Sequence, residues 1–340
     1  MQFEDFWYIV AQSNQLRPNQ VLSRMVLGEW LVVFRGDKGQ PVVLRDRCIH
    51  RHSRLSPGKV HQGRLQCPYH GWTYDSSGQV VAVPAEGMDF KACAVRRTLS
   101  YPVVEQDGYI YVQLTEQPSE IFSPFSMPHY RQPGWETVRV INRFENSVSN
   151  CAENFIDIPH TASVHPGIFR TARQQCIKMT VERKQGTTIA TYENETTNLG
   201  WFQRFLNWRG QEIRHIDRFY MPNITHVEYD ISSHRHLFIT SQSIPETDRS
   251  TLVYTDITYN YGIWNQISLP LVYWTAQRII AQDIWILKIQ GETITKYGTQ
   301  FAHTPADTIH VFVESIRNAI AAGKDPRELP DKSVEVTFWV

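Results

Sequence analysis

The tightest constraint on this chain is Cys48-Ile49-His50 followed, after sixteen intervening residues, by Cys67-Pro68-Tyr69-His70. Read as C-x-H…C-x-x-H, the pattern places one thiol and one imidazole on each of two loops. Two thiolates and two imidazoles can hold zinc, or a [2Fe–2S] cluster in which two histidines replace two cysteines on one iron. Zinc sites more often pair C-x2-C with H-x3-5-H. Each knuckle here mixes the two types instead, and Pro68, Gly71 and Trp72 surround the second pair.

The whole string, through CPYHGWTYDSSG, resembles a Rieske centre. Cytochrome-complex Rieske proteins carry an extra cysteine in each loop and join them by a disulfide. Ser53 and Tyr69 occupy the corresponding positions here. The resemblance therefore points to the ferredoxin and oxygenase branch, generally lower in potential. The oxygenases usually show C-P-H-R. This chain keeps Arg51 but has Ile49 in place of the proline. Ile49 is a non-ligand and is not expected to affect iron binding.

A chain of 340 residues suggests two domains, and 41% hydrophobic with 12% aromatic residues is ample for packed interiors. Lys+Arg and Asp+Glu both number 34, so nothing argues for a nucleic-acid partner or an anionic membrane surface. No uncharged apolar run reaches about 18 residues, which argues against a transmembrane span. The opening MQFEDFWYIVAQ is acidic, unlike a signal peptide. Cys93, Cys151 and Cys176 show no paired spacing, as expected of reduced thiols in a cytoplasmic protein.

Along the first third, VLSRMVL, EWLVVFRG, PVVLRDRC and YIYVQL read as short strands separated by turns at Gly28, Asp37-Lys38-Gly39 and Ser76-Ser77-Gly78. The expectation is an α+β protein: an all-β cluster domain over 1–116, a linker over 117–140 and a catalytic domain over 141–340. Pro118, Pro124, Pro128, Pro133 and Gly134 mark the joint.

The second domain opens on a further motif, Asp157-x-x-His160-x4-His165. Two histidines and a carboxylate form the ligand set of mononuclear non-haem Fe(II) sites with open positions. Taken alone, the pattern is short enough that both histidines could be ordinary interior or surface residues. Five residues on an ideal helix turn about 140° net, so His160 and His165 cannot share one helical face. A break between them is expected, with Pro159 as its cause and Pro166 helping to end the element.

From 176 to 260, CIKMTVER, TIATYENET, RHIDRFYM, THVEYDIS, HLFITSQSI and TLVYTDITY alternate apolar and polar residues, suggesting one antiparallel sheet. His215, His226, His234 and His236 fall here without partners at metal spacing and read as structural or surface residues. WFQRFLNW (201–208) interrupts the strands, and its aromatics could line a cavity or simply be core. Trp201, Arg204 and Tyr273 are the candidate substrate contacts.

Residues 269–290 read as a long helix whose stripe of Val272, Ala276, Ile279, Ile280, Ile286 and Leu287 also carries Asp283, its only acid. A buried carboxylate needs a cation. Iron(II) would serve, or a buried pair with a base such as Arg278. A last helix is expected from Thr304 to Gly323, capped by Thr304 and begun by Pro305.

Together the motifs resemble the α subunits of Rieske non-haem iron oxygenases along nearly the whole chain, and FWYIVAQ resembles the start of the single-subunit type. That branch is homotrimeric and includes vanillate and dicamba demethylases. The resemblance implies Cys48, His50, Cys67 and His70 as cluster ligands, and His160, His165 and Asp283 as iron ligands, with Asp283…Gln290 in the family's D-x6-Q setting. It implies Asp157 as a bridging carboxylate between the two centres, with Asn154, like Asn146, where the family often has asparagines. Ser147-Val148 replace the family's aromatic-Lys pair.

The implied function is the terminal component of an oxygenase that hydroxylates or oxidatively demethylates a small organic substrate with O2. No Gly-rich dinucleotide motif follows a strand and no plant-type ferredoxin spacing is present. Electrons are therefore expected from an NAD(P)H-dependent reductase, with or without a ferredoxin. The alternatives are an arene cis-dihydroxylating α subunit and, in another class, a non-catalytic Rieske electron carrier or redox sensor.

Overall fold

The computed structural model describes residues 1–116, 121–168, 175–193, 213–232 and 235–340. They form two compact units, Phe3–Ser126 and Met127–Val340, the latter including Met1–Gln2.

The first unit is built from three small sheets. Strands β1 (Trp7–Gln12), β2 (Val21–Val26), β3 (Glu29–Arg35) and β4 (Pro41–Arg45) precede the loop of Cys48 and His50. β5 (Lys59–His61) and β6 (Arg64–Gln66) lead into the loop of Cys67 and His70. β7 (Thr73–Tyr74), β8 (Val80–Ala82), β9 (Ser100–Tyr101), β10 (Val103–Gln106) and β11 (Tyr109–Gln113) complete the unit. The sheets run β1-β11-β10, β2-β3-β4-β9 and β5-β6-β7-β8. Residues 121–126 pack here as well: Trp7 Nε1 donates to Phe122 O at 2.8 Å, and Phe6 stacks on Phe122 at 4.3 Å.

The second unit is one eight-stranded antiparallel sheet with helices. Its strands are β12 (Glu136–Phe144), β13 (Cys176–Lys184), β14 (Thr187–Glu193), β15 (Arg214–Tyr220), β16 (Ile224–Ser232), β17 (Arg235–Thr247), β18 (Ser250–Asn260) and β19 (Lys332–Trp339). The order is β12-β18-β17-β16-β15-β14-β13-β19. The six strands expected over 176–260 are all present, and the fold is α+β. The two edge strands lie outside the expected span, although both alternate, as in VRV and VEVTF. β12 begins inside the stretch read as linker, paired with β18 in the register Glu136↔Tyr259, and β19 closes on β13 through Cys176↔Trp339.

Among the described residues, four α-helices accompany the sheet: α1 (Val148–Asn154), α2 (Pro159–Ser163), α3 (Asn265–Tyr297) and α4 (Thr308–Ala321). Ser147, unlike the family pattern at its position, caps α1 by accepting from Asn150 N at 3.3 Å. The break between His160 and His165 exists, but its cause differs from the expected one. Pro159 occupies the first turn of α2 and starts it, and the helix ends at Ser163 before His165 is reached. α3 outruns its expected span at both ends and so includes a second acid, Glu292. It lies close to the end of β12, where a Cβ on Gly291 would stand 2.5 Å from Glu145 O. Leu287 of α3 joins Phe144, Cys151 and Val253 in a buried apolar cluster, which fixes α1 and α3 on the sheet. α4 follows a 3-10 turn in which Thr304 and Asp307 cap reciprocally, and it buries Ile309, Phe312, Val313, Ile316 and Ile320.

Candidate active site

In the first unit, the loop between β4 and β5 carries Cys48 and His50. Asp46 shapes it. Its buried carboxylate accepts from Leu55 N at 2.6 Å, Ser56 N at 2.7 Å, Ser56 Oγ at 2.6 Å and Arg54 Nε at 2.8 Å. The loop between β6 and β7 carries Cys67 and His70. It is closed by Cys67 N donating to Trp72 O at 2.8 Å and by Gly71 at φ +73°, where a Cβ would press on Pro84 at 2.9 Å. Cys48 and Cys67 are buried in the core, while His70 is exposed. The His50 and His70 rings meet edge to face at 4.6 Å, and His50 stacks on Trp72 at 4.7 Å.

In the second unit, His160, His165 and Asp283 each offer a ligand atom, all within 4.8 Å of one another. His165 Nε2 lies 3.0 Å and His160 Nε2 3.6 Å from Asp283 Oδ1. Asn154 Nδ2 donates to the same oxygen at 3.1 Å. Burial opposes charge on His160, yet the neighbouring carboxylates of Asp157 and Asp283 outweigh it and push the pKa up to about 9. Burial likewise opposes charge on Asp283, but the two histidines hold it below the usual carboxylate range. The pocket is therefore arranged to receive positive charge.

Asp157 accepts from His160 N at 3.1 Å, and its Oδ2 stands 3.2 Å from His160 Nδ1, near enough for an ion pair though not aligned as a hydrogen bond. Asp256, a further buried acid of the sheet, is paired with Arg139 at 3.0 Å. Arg278 is exposed and leaves Asp283 to the histidines.

Residues 6–101 match the Rieske [2Fe-2S] domain, and residues 144–322, more than half of the chain, match the vanillate O-demethylase oxygenase C-terminal domain. The chain belongs to the Rieske non-haem iron oxygenase α-subunit family. Among solved structures, dicamba monooxygenase bound to dicamba superposes with a TM-score of 0.79 at 22% identity, over 94% of this chain and 99% of that one. Pseudomonas putida NdmA with caffeine gives 0.77 at 23%, over 94% and 92%. Among curated sequences, methylxanthine N1-demethylase of Pseudomonas putida is 36% identical over 48% of this chain and 47% of its own length. Chlorophyllide a oxygenase of Chlamydomonas reinhardtii is 31% identical over 48% and 25%. The chain thus spans a quarter to about half the length of these curated relatives.

The family's Rieske domain binds a [2Fe–2S] cluster, and its oxygenase domain uses a mononuclear iron. The residues present fit both groups. His50 Nδ1 is buried without a hydrogen-bond partner, as an imidazole awaiting a metal would be. Burial, with Cys48 alongside, holds the Cys67 thiol above its usual value, so the thiolate form that cluster binding requires needs a cation beside it. All five cysteines are free, including these two. At the second centre, the donor set is the facial two-histidine, one-carboxylate type.

A cavity of about 120 Å³ adjoins His160, His165 and Asp283. Its wall takes alternate residues of the sheet: Asn142 and Phe144, Thr255 and Ile257, Ser241 and Ile239, Thr225 and Val227, His215 and Asp217. Ile279 and Ile280, one helical turn before Asp283 on α3, and Ala276, two turns before it, complete it.

Two features here escaped the sequence reading. Gln282, adjacent to Asp283, brings Oε1 to 2.9 Å from His165 Nδ1. His215, read as a structural residue, stands in the cavity wall. Its Nε2 lies 2.9 Å from Asp217 Oδ1, and Tyr192 Oη donates to Asp217 Oδ2 at 2.8 Å. Tyr273 is about half exposed on α3 and is not among the residues lining the cavity, while Trp201, Arg204 and His234 lie outside the described residues. Asn146, placed only by resemblance, donates through Nδ2 to Gln290 Oε1 at 2.9 Å and Leu287 O at 2.8 Å, joining the end of β12 to α3. Among the described residues no helix is long and apolar enough to cross a membrane.

Proposed function

We propose that the chain is the terminal oxygenase component of a multi-component monooxygenase that hydroxylates or oxidatively demethylates a small organic compound. The observation that carries this is the meeting of His160 Nε2, His165 Nε2 and Asp283 Oδ1 within reach of one ion, in the wall of a mostly apolar cavity. An electron carrier has no use for such a cavity. Similarity to dicamba monooxygenase over nearly the full length of both chains favours monooxygenation over arene dihydroxylation.

Cys48, His50, Cys67 and His70 would hold the cluster, and His160, His165 and Asp283 the iron. When bound, the iron supplies the centre at which dioxygen is reduced with electrons passed through the cluster. The protein's own part is positional. Gln282, accepting from His165 Nδ1, would leave the Nε2 lone pair free for the iron. Asn154 holds Asp283 Oδ1 by hydrogen bonding, and the apolar wall excludes water from the reacting substrate. The cavity, bounded by described residues, is near the size that admits one aromatic ring. Its polar edge at Asn142, Ser241, Thr255 and His215 suits a ring bearing a hydrogen-bonding group. In this reading Asp157 bridges to a cluster histidine, an NAD(P)H-dependent reductase with or without a ferredoxin supplies the electrons, and the assembly is a homotrimer.

Purified protein should contain acid-labile sulfide and about three irons per chain. Asp283→Ala should lose only the mononuclear iron, together with substrate-dependent oxygen uptake. A variant that keeps its third iron and turns over normally would overturn the assignment.

A further inference from the structure

We infer that the backbone N–H of Ile49, which a proline at this position could not provide, is a positioning group that raises the reduction potential of the cluster through Tyr74. This rests on the reading of Cys48 as a cluster ligand.

Two contacts carry it. Ile49 N donates to Tyr74 Oη at 3.1 Å, and Tyr74 Oη donates to Cys48 Sγ at 3.1 Å. A phenol oxygen has one proton to give and two lone pairs to receive. With a lone pair occupied by the Ile49 amide, the hydroxyl proton is directed to the sulfur. Tyr74 is fully buried, so water does not compete for either position. Each bond in such a chain polarises the next, strengthening it by roughly 10–30%.

The side chain of Ile49 has a separate task, packing against the core that also holds Cys48, Cys67 and Tyr74. Proline could cover some of that surface, but it has no N–H. The resemblance to C-P-H-R sequences therefore conceals a chemical difference at this loop: an added donor, one atom removed from a ligand sulfur.

On reduction the cluster takes up one electron, and the added negative charge is spread over its sulfurs. A hydrogen bond to a ligand sulfur stabilises the reduced form more than the oxidised one, and so raises the potential. Removing the amide donor leaves the phenol less polarised and free to turn about its C–O bond, which lowers it.

The test is a redox titration of the full-length, cluster-loaded protein, followed by its visible and electron paramagnetic resonance spectra. Tyr74→Phe should lower the midpoint by about tenfold in the reduced-to-oxidised ratio at fixed poise. Ile49→Pro should lower it by about threefold, ~30 mV for a one-electron couple. Ile49→Val, which keeps the N–H, should leave it unchanged, and Ile49→Pro combined with Tyr74→Phe should match Tyr74→Phe alone. A midpoint unmoved by Ile49→Pro in a protein with a normal cluster spectrum overturns the inference. So does an equal shift from Ile49→Pro in the Tyr74→Phe background. A second measurement does not need the proline variant to fold. Hydrogen exchange at the Ile49 amide should be slow in the wild type and faster in Tyr74→Phe, and equal rates overturn the inference. Wild-type protein with no cluster spectrum instead overturns the ligand assignment beneath it.

Discussion

His165 Nδ1 stands 2.9 Å from Gln282 Oε1, and Gln282 directly precedes Asp283 on α3. One short piece of helix thus supplies both a candidate ligand and the amide that orients another. Gln282→Leu should leave the cluster spectrum unchanged and weaken mononuclear iron binding by about 10–100-fold. Iron titration into the metal-stripped site would show it, and wild-type affinity would remove Gln282 from the centre.

Protons and iron compete at His160. In the metal-free chain its pKa is pushed up to about 9, against about 6.5 unfolded. The stability this contributes is fully present below about pH 6.5 and is lost as pH rises through 9. Iron must displace the same proton, so affinity should climb by about tenfold per pH unit below pH 9. Binding titrations at pH 6.5, 7.5 and 8.5 should show that slope, and a flat profile would contradict it.

Glu153 of α1 lies among Glu314, Asp307 and Asp157. Burial first, then Glu314, pushes its pKa up to about 8, well above the usual carboxylate value. The folded chain holds a proton there that the unfolded chain releases near about pH 4.3, so stability falls as pH rises from there to 8. Glu153→Gln should raise the midpoint of thermal unfolding at pH 8.5 by a few degrees, about 2–4 °C per kcal/mol recovered, and have little effect at pH 5. Equal shifts at both values would mean the carboxyl is not the source.

If electrons cross between subunits of a head-to-tail trimer, two inactive variants should complement each other. His70→Ala disables the donor and His160→Ala the acceptor. Co-expressed, they should regain partial oxygen uptake, because an intact cluster then faces an intact iron at some interfaces. Asp157→Asn should keep both metals and slow oxidation of the reduced cluster. Mixed assemblies as inactive as their parents would place the transfer within one chain.

Much of this was legible because ligand chemistry is written in residue type and short spacing. As candidate ligands, Cys48, His50, Cys67 and His70 needed only two loops, and Asp283 stood out as an acid on an apolar stripe. The strands over 176–260 followed from alternation, since each has one face toward the cavity or core. What could not be read depends on register. His215 and Asp217 enter the cavity wall only because β15 pairs with β16 as Asp217↔Val227. Gln282 points at His165 only once α2 has ended at Ser163. The Ile49 amide meets Tyr74 only through the folding of both loops, and residue type alone does not announce it.

The early end of α2 has one more consequence. His160 sits on the helix and His165 beyond it, while Asp283 lies on a helix 118 residues further along the chain from His165. A metal held by all three would bind the folded chain and not the unfolded one, and so would hold a loop of that length closed by mass action. Occupancy of the iron site then becomes a determinant of how long the segment from Phe155 to Ile168 stays folded. Removing the mononuclear iron alone, with a chelator that spares the cluster, would expose this stretch to proteolysis while the first unit remained folded.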